Sequence, residues 1–241
     1  MTDNPKIIIV GATSGIGRKM TELYAAKGCK VGITGRRIEL LNEIQGNFPA
    51  FIETACFDVT GNENILHLNK LVEKIGGLDI LIISAGGGDI SKELDWKLDK
   101  LTVDTNVNGF VEIANWGFNY FAKQNHGSLA TISSIAAIRG NSWAPAYSAS
   151  KAFQSNYFEG LAIKAGRMKK NISVACIEPG FVDTHMAKGG KKIWVMPVEK
   201  AALRIIDAIE KKKRKSQLSL RWWFVAKLLK SLPYWLLKKI G

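Results

Sequence analysis

Apolar and polar positions divide the first 213 residues into short continuous runs and longer periodic segments. A run such as Ile7-Ile8-Ile9-Val10 is apolar throughout, which is typical of a strand that helices cover on both faces. The longer segments place apolar residues three and four positions apart, which predicts amphipathic helices. The pattern predicts strands at 7–10, 30–34, 51–57, 78–83, 129–133 and 172–177, and helices at 15–27, 37–45, 62–75, 98–124, 147–164 and 198–213.

Strands that alternate with helices of this length form βαβ units, and such units build a mostly parallel sheet. The predicted fold class is therefore α/β, a doubly wound, Rossmann-like sheet with helices on both faces and a C-terminal amphipathic helical tail. We expect one catalytic, nucleotide-binding domain over residues 1–215 and a basic helical appendage over residues 216–241.

The positive charge of the chain is concentrated in this tail. The 241 residues carry a formal net charge of +13, and ten Lys or Arg but no Asp or Glu lie between Lys211 and Gly241. The first 210 residues therefore carry only +3. The tail has no nucleic-acid recognition motif, so we expect no nucleic acid among the partners.

The remaining composition favours a cytoplasmic protein without metal. Three cysteines and three histidines are scattered without metal-ligand spacing, so we expect reduced thiols and no metal site. Residues 1–5 lack a signal-peptide pattern, and no run of about 18 apolar residues predicts a membrane-spanning helix. A cytoplasmic protein of this kind could also attach peripherally to the inner face of a membrane.

A glycine-rich turn directly follows the first strand. Glycines let a backbone turn sharply and approach a pyrophosphate, and the N-terminus of the next helix favours negative charge. An ordinary strand-to-helix turn is the alternative, but the position after the first strand favours a nucleotide. The candidate residues are Gly11, Thr13, Ser14, Gly15, Ile16 and Gly17.

The end of the second strand indicates which nucleotide is bound. An acidic residue at this point would bind the ribose 2′-hydroxyl of NAD, whereas arginine suits the 2′-phosphate of NADP. The sequence here is Thr34-Gly35-Arg36-Arg37, without an acid. Two cations oppose the dipole at a helix start, which makes solvated surface residues a less favourable interpretation. We therefore expect NADP(H), held by Arg36 first and Arg37 second.

A phenol and an ammonium group lie four residues apart in Tyr147-Ser148-Ala149-Ser150-Lys151. On a helix both face the same side, one turn apart. A nearby positive charge lowers the pKa of a phenol, which otherwise lies near 10, and so assists proton transfer at neutral pH. Ser134 ends the fifth strand and can meet the start of this helix at the carboxyl edge of the sheet.

Taken together, these motifs resemble the short-chain dehydrogenase/reductase family across residues 6–210. The similarity lies in the order and spacing of several short motifs. They are the Gly11/Gly15/Gly17 turn, Asp58 after the third strand, Asp79 with Ser84-Ala85-Gly86, Asn106 in Asn106-Val107-Asn108-Gly109, then Ser134, Tyr147 and Lys151, and Pro179-Gly180-Phe181-Val182-Asp183-Thr184.

The resemblance implies a role for each matching residue. Tyr147 would donate a proton to the substrate oxygen, Lys151 would lower the Tyr147 pKa and bind the nicotinamide ribose, and Ser134 would hold the carbonyl. Asn106 would position a water for a proton relay behind Lys151. The cofactor would also be contacted by Asp58 and Val59 at the adenine, by Ala85 and Gly86, and by Pro179, Gly180, Val182 and Thr184 near the carboxamide.

Some of these assignments have rivals in the sequence. Ser133 could take the role of Ser134, although strand alternation lets only one of them face the cleft. Asn108 competes with Asn106, and Asp58 could instead cap the helix near Asn62.

Two segments remain to be interpreted, residues 180–197, which are expected to cover the substrate, and the C-terminal tail. The segment includes Phe181, Trp194 and Gly189-Gly190, and its apolar content favours a hydrophobic substrate, with ordinary loop packing as the alternative. Trp143 and Phe153 are further pocket candidates. The tail mixes Trp and Leu with Lys and Arg, and Pro233 would break it into two helices. It could lie in a membrane interface, contact a partner subunit or dock on its own domain.

The predicted activity is NADPH-dependent reduction of a carbonyl to an alcohol, or the reverse. A hydrophobic small molecule such as a 3-oxoacyl, ketosphinganine-like or steroid-like compound is the expected substrate. The family resemblance implies a homodimer or homotetramer. The alternative is a catalytically silent NADP(H)-binding sensor or scaffold.

Overall fold

The computed structural model describes residues 4–89, 93–184 and 193–240. Its seven strands form one sheet in which each neighbouring pair is parallel. The strands are β1 (Lys6–Val10), β2 (Lys30–Gly35), β3 (Ile52–Cys56), β4 (Ile80–Ile83), β5 (His126–Ile132), β6 (Asn171–Ile177) and β7 (Lys215–Ser216). The predicted doubly wound α/β fold is confirmed.

The strand order determines where ligands can bind. The sheet runs β3-β2-β1-β4-β5-β6-β7, so the order reverses between β1 and β4. At such a reversal the loops that follow the two strands leave in opposite directions, and a crevice opens at their carboxyl ends. The predicted glycine-rich turn follows β1, and Ala85 and Gly86 follow β4, so both border this crevice.

Helices cover both faces of the sheet. They are α1 (Gly15–Ala26), α2 (Ile38–Asn47), α3 (Asn64–Ile75), α4 (Trp96–Val103), α5 (Phe110–Gln124), α6 (Pro145–Arg167), α7 (Val198–Glu210), α8 (Leu220–Ser231) and α9 (Tyr234–Ile240).

Alternate residues of the strands supply two separate cores. Ile7 and Ile9 belong to the core that includes α1, α2 and α7, whereas Ile8 and Val10 belong to the core of α3, α5 and α6. All four are fully buried. Because successive side chains of a strand point to opposite faces, only a continuously apolar strand can serve both cores.

The long helix predicted at 98–124 is divided in the structure. It consists of α4, a π-helical turn at Asp104–Gly109 and α5. π-helical turns occur often at functional sites, and this one contains Asn106. The sequence pattern does not predict β7, a two-residue strand on the edge of the sheet.

Pro233 separates the two tail helices, as predicted. It cannot donate a backbone hydrogen bond, and α8 ends two residues before it. Within the described residues, no helix combines the length and apolarity that crossing a membrane requires.

The first helix approaches the β1 turn so closely that only glycine fits at position 17. A Cβ at Gly17 would overlap the carbonyl oxygen of Gly11, whereas a Cβ at Gly46 in α2 would meet nothing within 4 Å. We expect Gly17→Ala to lower the free energy of unfolding by about 1–3 kcal/mol, because the helix must shift away from the turn.

Gly46→Ala is the matched control, since it makes the same change in an open helical position. We expect it to raise stability by about 0.5–1 kcal/mol. Urea unfolding without nucleotide measures both, and equal effects of the two variants would contradict the close approach.

Candidate active site

Tyr147 and Lys151 lie on the first turns of α6 and face the same cleft. The Lys151 Nζ is 5.8 Å from the centroid of the Tyr147 ring. α6 begins with Pro145, whose fixed φ suits the first position of a helix. The helical spacing of the two residues therefore produces the predicted juxtaposition of phenol and ammonium.

The Lys151 ammonium group is buried and held by two acceptors. Its Nζ donates to the Ile132 carbonyl at 3.0 Å and to Gln154 Oε1 at 2.9 Å. Burial lowers its pKa from the ordinary value to about 8, and the nearby Cys176 partly opposes this shift. Burial therefore brings the titration of this ammonium group closer to neutral pH than that of an ordinary lysine.

Tyr147 contacts Ser134 and Gly88. Burial raises the pKa of the phenol, and a side-chain hydrogen bond with Ser134 opposes this shift. A Cβ at Gly88 would overlap the Tyr147 ring, so the backbone after β4 packs directly on it. The net shift of the Tyr147 pKa is thus upward, opposite to the lowering that was expected from Lys151.

The two serines at the end of β5 point to different partners. Ser134 Oγ accepts from the Ala136 N–H at 3.1 Å, which leaves its own proton for Tyr147. Ser133 is buried, and its Oγ donates to the Lys151 carbonyl at 2.9 Å on the far side of the strand end. The alternation of the strand thus directs Ser134, and not Ser133, to the phenol.

Asn106 lies in the π-helical turn, fully buried beside Lys151. Its Oδ1 accepts from the Gly87 N–H at 2.9 Å, and its Nδ2 donates to the Gly87 carbonyl at 2.7 Å and to Ser150 Oγ at 2.9 Å. The rival Asn108 instead donates to Asp104 at the surface.

The glycine-rich turn has the backbone that a pyrophosphate site requires. Gly11 and Gly15 have φ of 86° and 55°, values that favour glycine. Ser14 is the N-cap of α1, and no side chain among the described residues caps this end or places an acid in its first turn. Ile16 packs partly against the core. The N-terminus of α1 is therefore suited to an anion.

Two arginines border the same turn. Arg37 Nη2 donates to Thr13 Oγ1 at 2.6 Å and to Ser14 Oγ at 3.1 Å. Arg36 pairs with Asp58 at 3.3 Å and remains largely exposed. The guanidinium and hydroxyl groups together form a cluster of donors at the carboxyl end of β2.

Asp58 forms a local turn rather than a helix cap. Its Oδ1 accepts from the backbone and the hydroxyl of Thr60, both at 3.0 Å, and α3 begins only after Glu63. Burial would raise its pKa, but Thr60 and Arg36 outweigh this and lower it. Capping of the helix near Asn62 is therefore not the role of Asp58.

Residues after β3 and β4 pack tightly around the crevice. The Val59 carbonyl accepts from Asn64 Nδ2 at 2.9 Å. A Cβ at Gly11 would lie 2.5 Å from the Ala85 nitrogen, and a Cβ at Gly86 would lie 3.1 Å from Lys151 Nζ. Gly11 therefore lets the β1 turn approach the residues after β4 closely, and Gly86 leaves room for the Lys151 ammonium group.

The segment after β6 reaches back to the glycine-rich turn. The Pro179 carbonyl accepts from the Ile135 N–H at 2.8 Å, and Val182 forms a β-bridge with Met196. Thr184 lies against the turn, since a Cβ at Gly15 would be 3.2 Å from its Cγ2. Gly189-Gly190, which the sequence analysis names in this segment, lie outside the described residues.

One face of α8 docks on this segment. Trp222 is buried and covers Gly180, where a Cβ would overlap the indole ring. Phe181 and Trp194 each pack edge-on against Trp222, with ring centroids 5.6 and 6.0 Å away. Docking of the tail on its own domain, one of three alternatives from the sequence, is thus observed for α8.

The other two pocket candidates differ in their surroundings. Phe153 stacks on Tyr157 at 5.7 Å between ring centroids, and Trp143 is half exposed on the loop before α6.

Sequence reasoning missed Gly88, Gln154 and Trp222. Gln154 is three residues after Lys151 and hence on the same helix face, a signal that was available in the sequence. The contacts of Gly88 with Tyr147 and of Trp222 with Gly180 join distant parts of the chain, and no local pattern predicts them.

Comparison with known proteins identifies the family. The model of the short chain dehydrogenase family matches residues 5–192, well over half of the chain. The protein therefore belongs to the short-chain dehydrogenase/reductase family and is an oxidoreductase of that family.

Two relatives illustrate the similarity. An uncharacterized oxidoreductase of Myxococcus xanthus is 32% identical over 185 residues, which cover 74% of this chain and 72% of the relative. An uncharacterized oxidoreductase of Mycobacterium tuberculosis is 29% identical over 235 residues, which cover 93% and 91%.

Solved structures agree in fold. The structure of ElxO with NADP bound has a TM-score of 0.77 at 20% identity and covers 89% of this chain and 97% of its own. A 3-ketoacyl-(acyl-carrier-protein) reductase from Brucella melitensis, complexed with NADH, has a TM-score of 0.81 at 18% identity and covers 90% and 96%.

A dinucleotide, which the family implies, fits the residues present. The left-handed glycines and the uncapped α1 N-terminus suit a pyrophosphate, and the donors around Arg37 suit a further anionic or hydroxyl group. Lys151 at the opposite end of the crevice has the donors that a ribose hydroxyl accepts.

Proposed function

We propose that this protein is an NADPH-dependent reductase, or in reverse an alcohol dehydrogenase, acting on the carbonyl of a hydrophobic small molecule. The observation that carries this proposal is the cluster of Ser134, Tyr147 and Lys151 beside Gly86 at the carboxyl edge of the sheet. A silent sensor or scaffold would have no need of a buried ammonium group next to a phenol, and burying such a charge is costly.

The proton transfer follows from the positions of these groups. When bound, the nicotinamide supplies a hydride to the carbonyl carbon. Tyr147 donates its phenolic proton to the carbonyl oxygen, while the Ser134 hydroxyl holds that oxygen by a hydrogen bond. The Lys151 charge stabilises the phenolate that remains, because opposite charges favour the ionised form.

The preference for NADPH is supported by the end of β2. Arg36 and Arg37 provide two guanidinium groups there, and Thr13 and Ser14 add hydroxyls. A 2′-phosphate would form ion pairs as well as charge-assisted hydrogen bonds with this cluster, whereas an uncharged 2′-hydroxyl would form no ion pair.

The apolar walls beside Gly180 support a hydrophobic substrate. Phe181, Trp194 and Trp222 form a cluster of aromatic rings at the end of β6. A 3-oxoacyl, ketosphinganine-like or steroid-like compound would bury apolar surface against such rings.

A homodimer or homotetramer is the assembly we propose.

We expect Tyr147→Phe to lower the rate of NADPH oxidation with a panel of hydrophobic ketones at least about 100-fold, because the proton donor is lost. The affinity for NADPH, followed by nicotinamide fluorescence, should change little.

Tyr157→Phe on the same helix is the control, since its hydroxyl bonds Asn115 and not the cleft. It should keep full activity. Tight NADPH binding with no turnover of any ketone by the wild type would support the sensor instead.

We expect Arg36→Asp to raise the Kd for NADPH about 10–100-fold more than the Kd for NADH, because a carboxylate repels the 2′-phosphate. Arg37→Asp should have the same selectivity. Arg167→Asp makes the same charge change at the far end of α6 and should affect neither. Equal losses for both cofactors would refute the NADP assignment.

We further propose that the tail binds an anionic membrane surface with its outer face. Leu220, Phe224 and Leu228 recur every four residues on α8, all more than half exposed, opposite the docked Trp222 and Ala226. The stretch from Lys211 to Gly241, which contains this row, carries ten cations and no acid. Mixed basic and apolar residues of this kind favour an interface between water and anionic lipid.

The double variant Phe224→Ser/Leu228→Ser should reduce cosedimentation with phosphatidylglycerol vesicles about tenfold or more, because two apolar side chains no longer enter the interface. Leu203→Ser, at an exposed position of α7, is the control. Binding to neutral phosphatidylcholine vesicles should be weak throughout. Undiminished sedimentation of the double variant would exclude the membrane surface.

A further inference from the structure

Gln154 joins the two parts of the chain that surround the Lys151 ammonium group. It is fully buried on α6, one helical turn after Lys151. Its Oε1 accepts from Lys151 Nζ at 2.9 Å, and its Nε2 donates to the main-chain carbonyl of Asn106 at 2.9 Å. A single amide group thus bridges the ammonium and the π-helical turn.

The partners determine the orientation of this amide. An ammonium group has only donors, so it must face the amide oxygen, and a carbonyl accepts only, so it must face the amide nitrogen. Gln and Asn carry a neutral acceptor and a donor in one planar amide group, and Gln has the longer reach.

Gln154 makes a connection that the family resemblance assigns to a water. That water would connect Lys151 with Asn106. The Asn106 side chain is already engaged by Gly87 and Ser150, and its main-chain carbonyl accepts from Gln154. The link between the two residues is therefore made by protein atoms.

Two of the three Lys151 N–H groups are occupied by protein acceptors among the described residues, namely Ile132 O and Gln154 Oε1. One remains for a ligand in the cleft. Because β5 and α6 supply the two acceptors, the ammonium group keeps its position without solvent.

We propose that Gln154 is a positioning residue that replaces a water link between Lys151 and the Asn106 carbonyl and controls how tightly Lys151 holds its proton. Hydrogen bonds to the charged form of a group favour that form, so the Gln154 carbonyl retains the proton on Lys151. The groups that can titrate around this ammonium are Tyr147 on α6 and Cys176 on β6. The effect of Gln154 on the Lys151 proton does not depend on the proposed reductase function. Only its effect on catalysis rests on that function.

Two substitutions at this position should act in opposite directions. Gln154→Met has a similar volume and loses both hydrogen bonds, so it should lower the Lys151 pKa below that of the wild type. Gln154→Glu places a carboxylate against the ammonium group and should raise this pKa by about 1–3 units.

The pKa of Lys151 can be measured without a substrate. Full-length protein with isotopically labelled lysine is titrated by NMR, and the Lys151 signal is assigned by its loss in Lys151→Met. Gln124→Met is the matched control, because Gln124 also donates to two carbonyls, Leu78 and His126, but on α5 away from Lys151. It should leave the Lys151 pKa unchanged.

If Gln154 served only to fill space, the two substitutions would not shift the Lys151 pKa in opposite directions. An unchanged Lys151 pKa in both Gln154 variants, or shifts in the same direction, would overturn the proposal. If Gln154→Met does not fold, Gln154→Glu is compared with the wild type alone. A Lys151 pKa that is not raised in Gln154→Glu is then sufficient to reject the proposal.

The catalytic consequence is tested by the pH dependence of ketone reduction. The alkaline limb of kcat should move to lower pH in Gln154→Met and to higher pH in Gln154→Glu, following the measured pKa. If the pKa values move as expected but the wild type reduces no ketone, the positioning of Lys151 by Gln154 stands and the proposed function fails.

Discussion

The burial of the Lys151 ammonium group is the constraint on which the candidate site depends. A charge removed from water needs acceptors that the fold itself supplies, because an unpaired buried charge is strongly unfavourable. Here β5 provides the Ile132 carbonyl and α6 provides Gln154, which in turn is anchored to the π-helical turn. Three separate segments must therefore be in place before the ammonium group can lie beside Tyr147.

The opposite end of the crevice depends on close backbone contacts rather than on charge. Gly11 packs against Ala85, Gly17 packs against Gly11, and Gly15 meets Thr184. These contacts bring the ends of β1 and β4 and the segment after β6 together around the N-terminus of α1. Side chains at these positions would separate the same elements that a dinucleotide has to contact at once.

The tail packs through α8 on the segment that follows β6. α8 has two apolar faces, one docked through Trp222 on Gly180 and one exposed along Leu220, Phe224 and Leu228. Self-docking and membrane contact, which the sequence analysis treats as alternatives, are compatible because they use different faces of one helix. A membrane bound by the exposed face of α8 would therefore lie close to the aromatic cluster of Phe181, Trp194 and Trp222.

Local patterns in the sequence determined the alternation of strands and helices, the break at Pro233, and the pairing of Tyr147 with Lys151, because each depends on neighbours within one or two helical turns. Only the tertiary structure decided that Ser134 rather than Ser133 meets the phenol, that Arg36 pairs with Asp58 while Arg37 joins Thr13 and Ser14, and that Trp222 covers Gly180. Those contacts join residues far apart in the chain. Their geometry depends on how the strands are ordered in the sheet and on how closely the backbones approach, and no local periodicity contains that information.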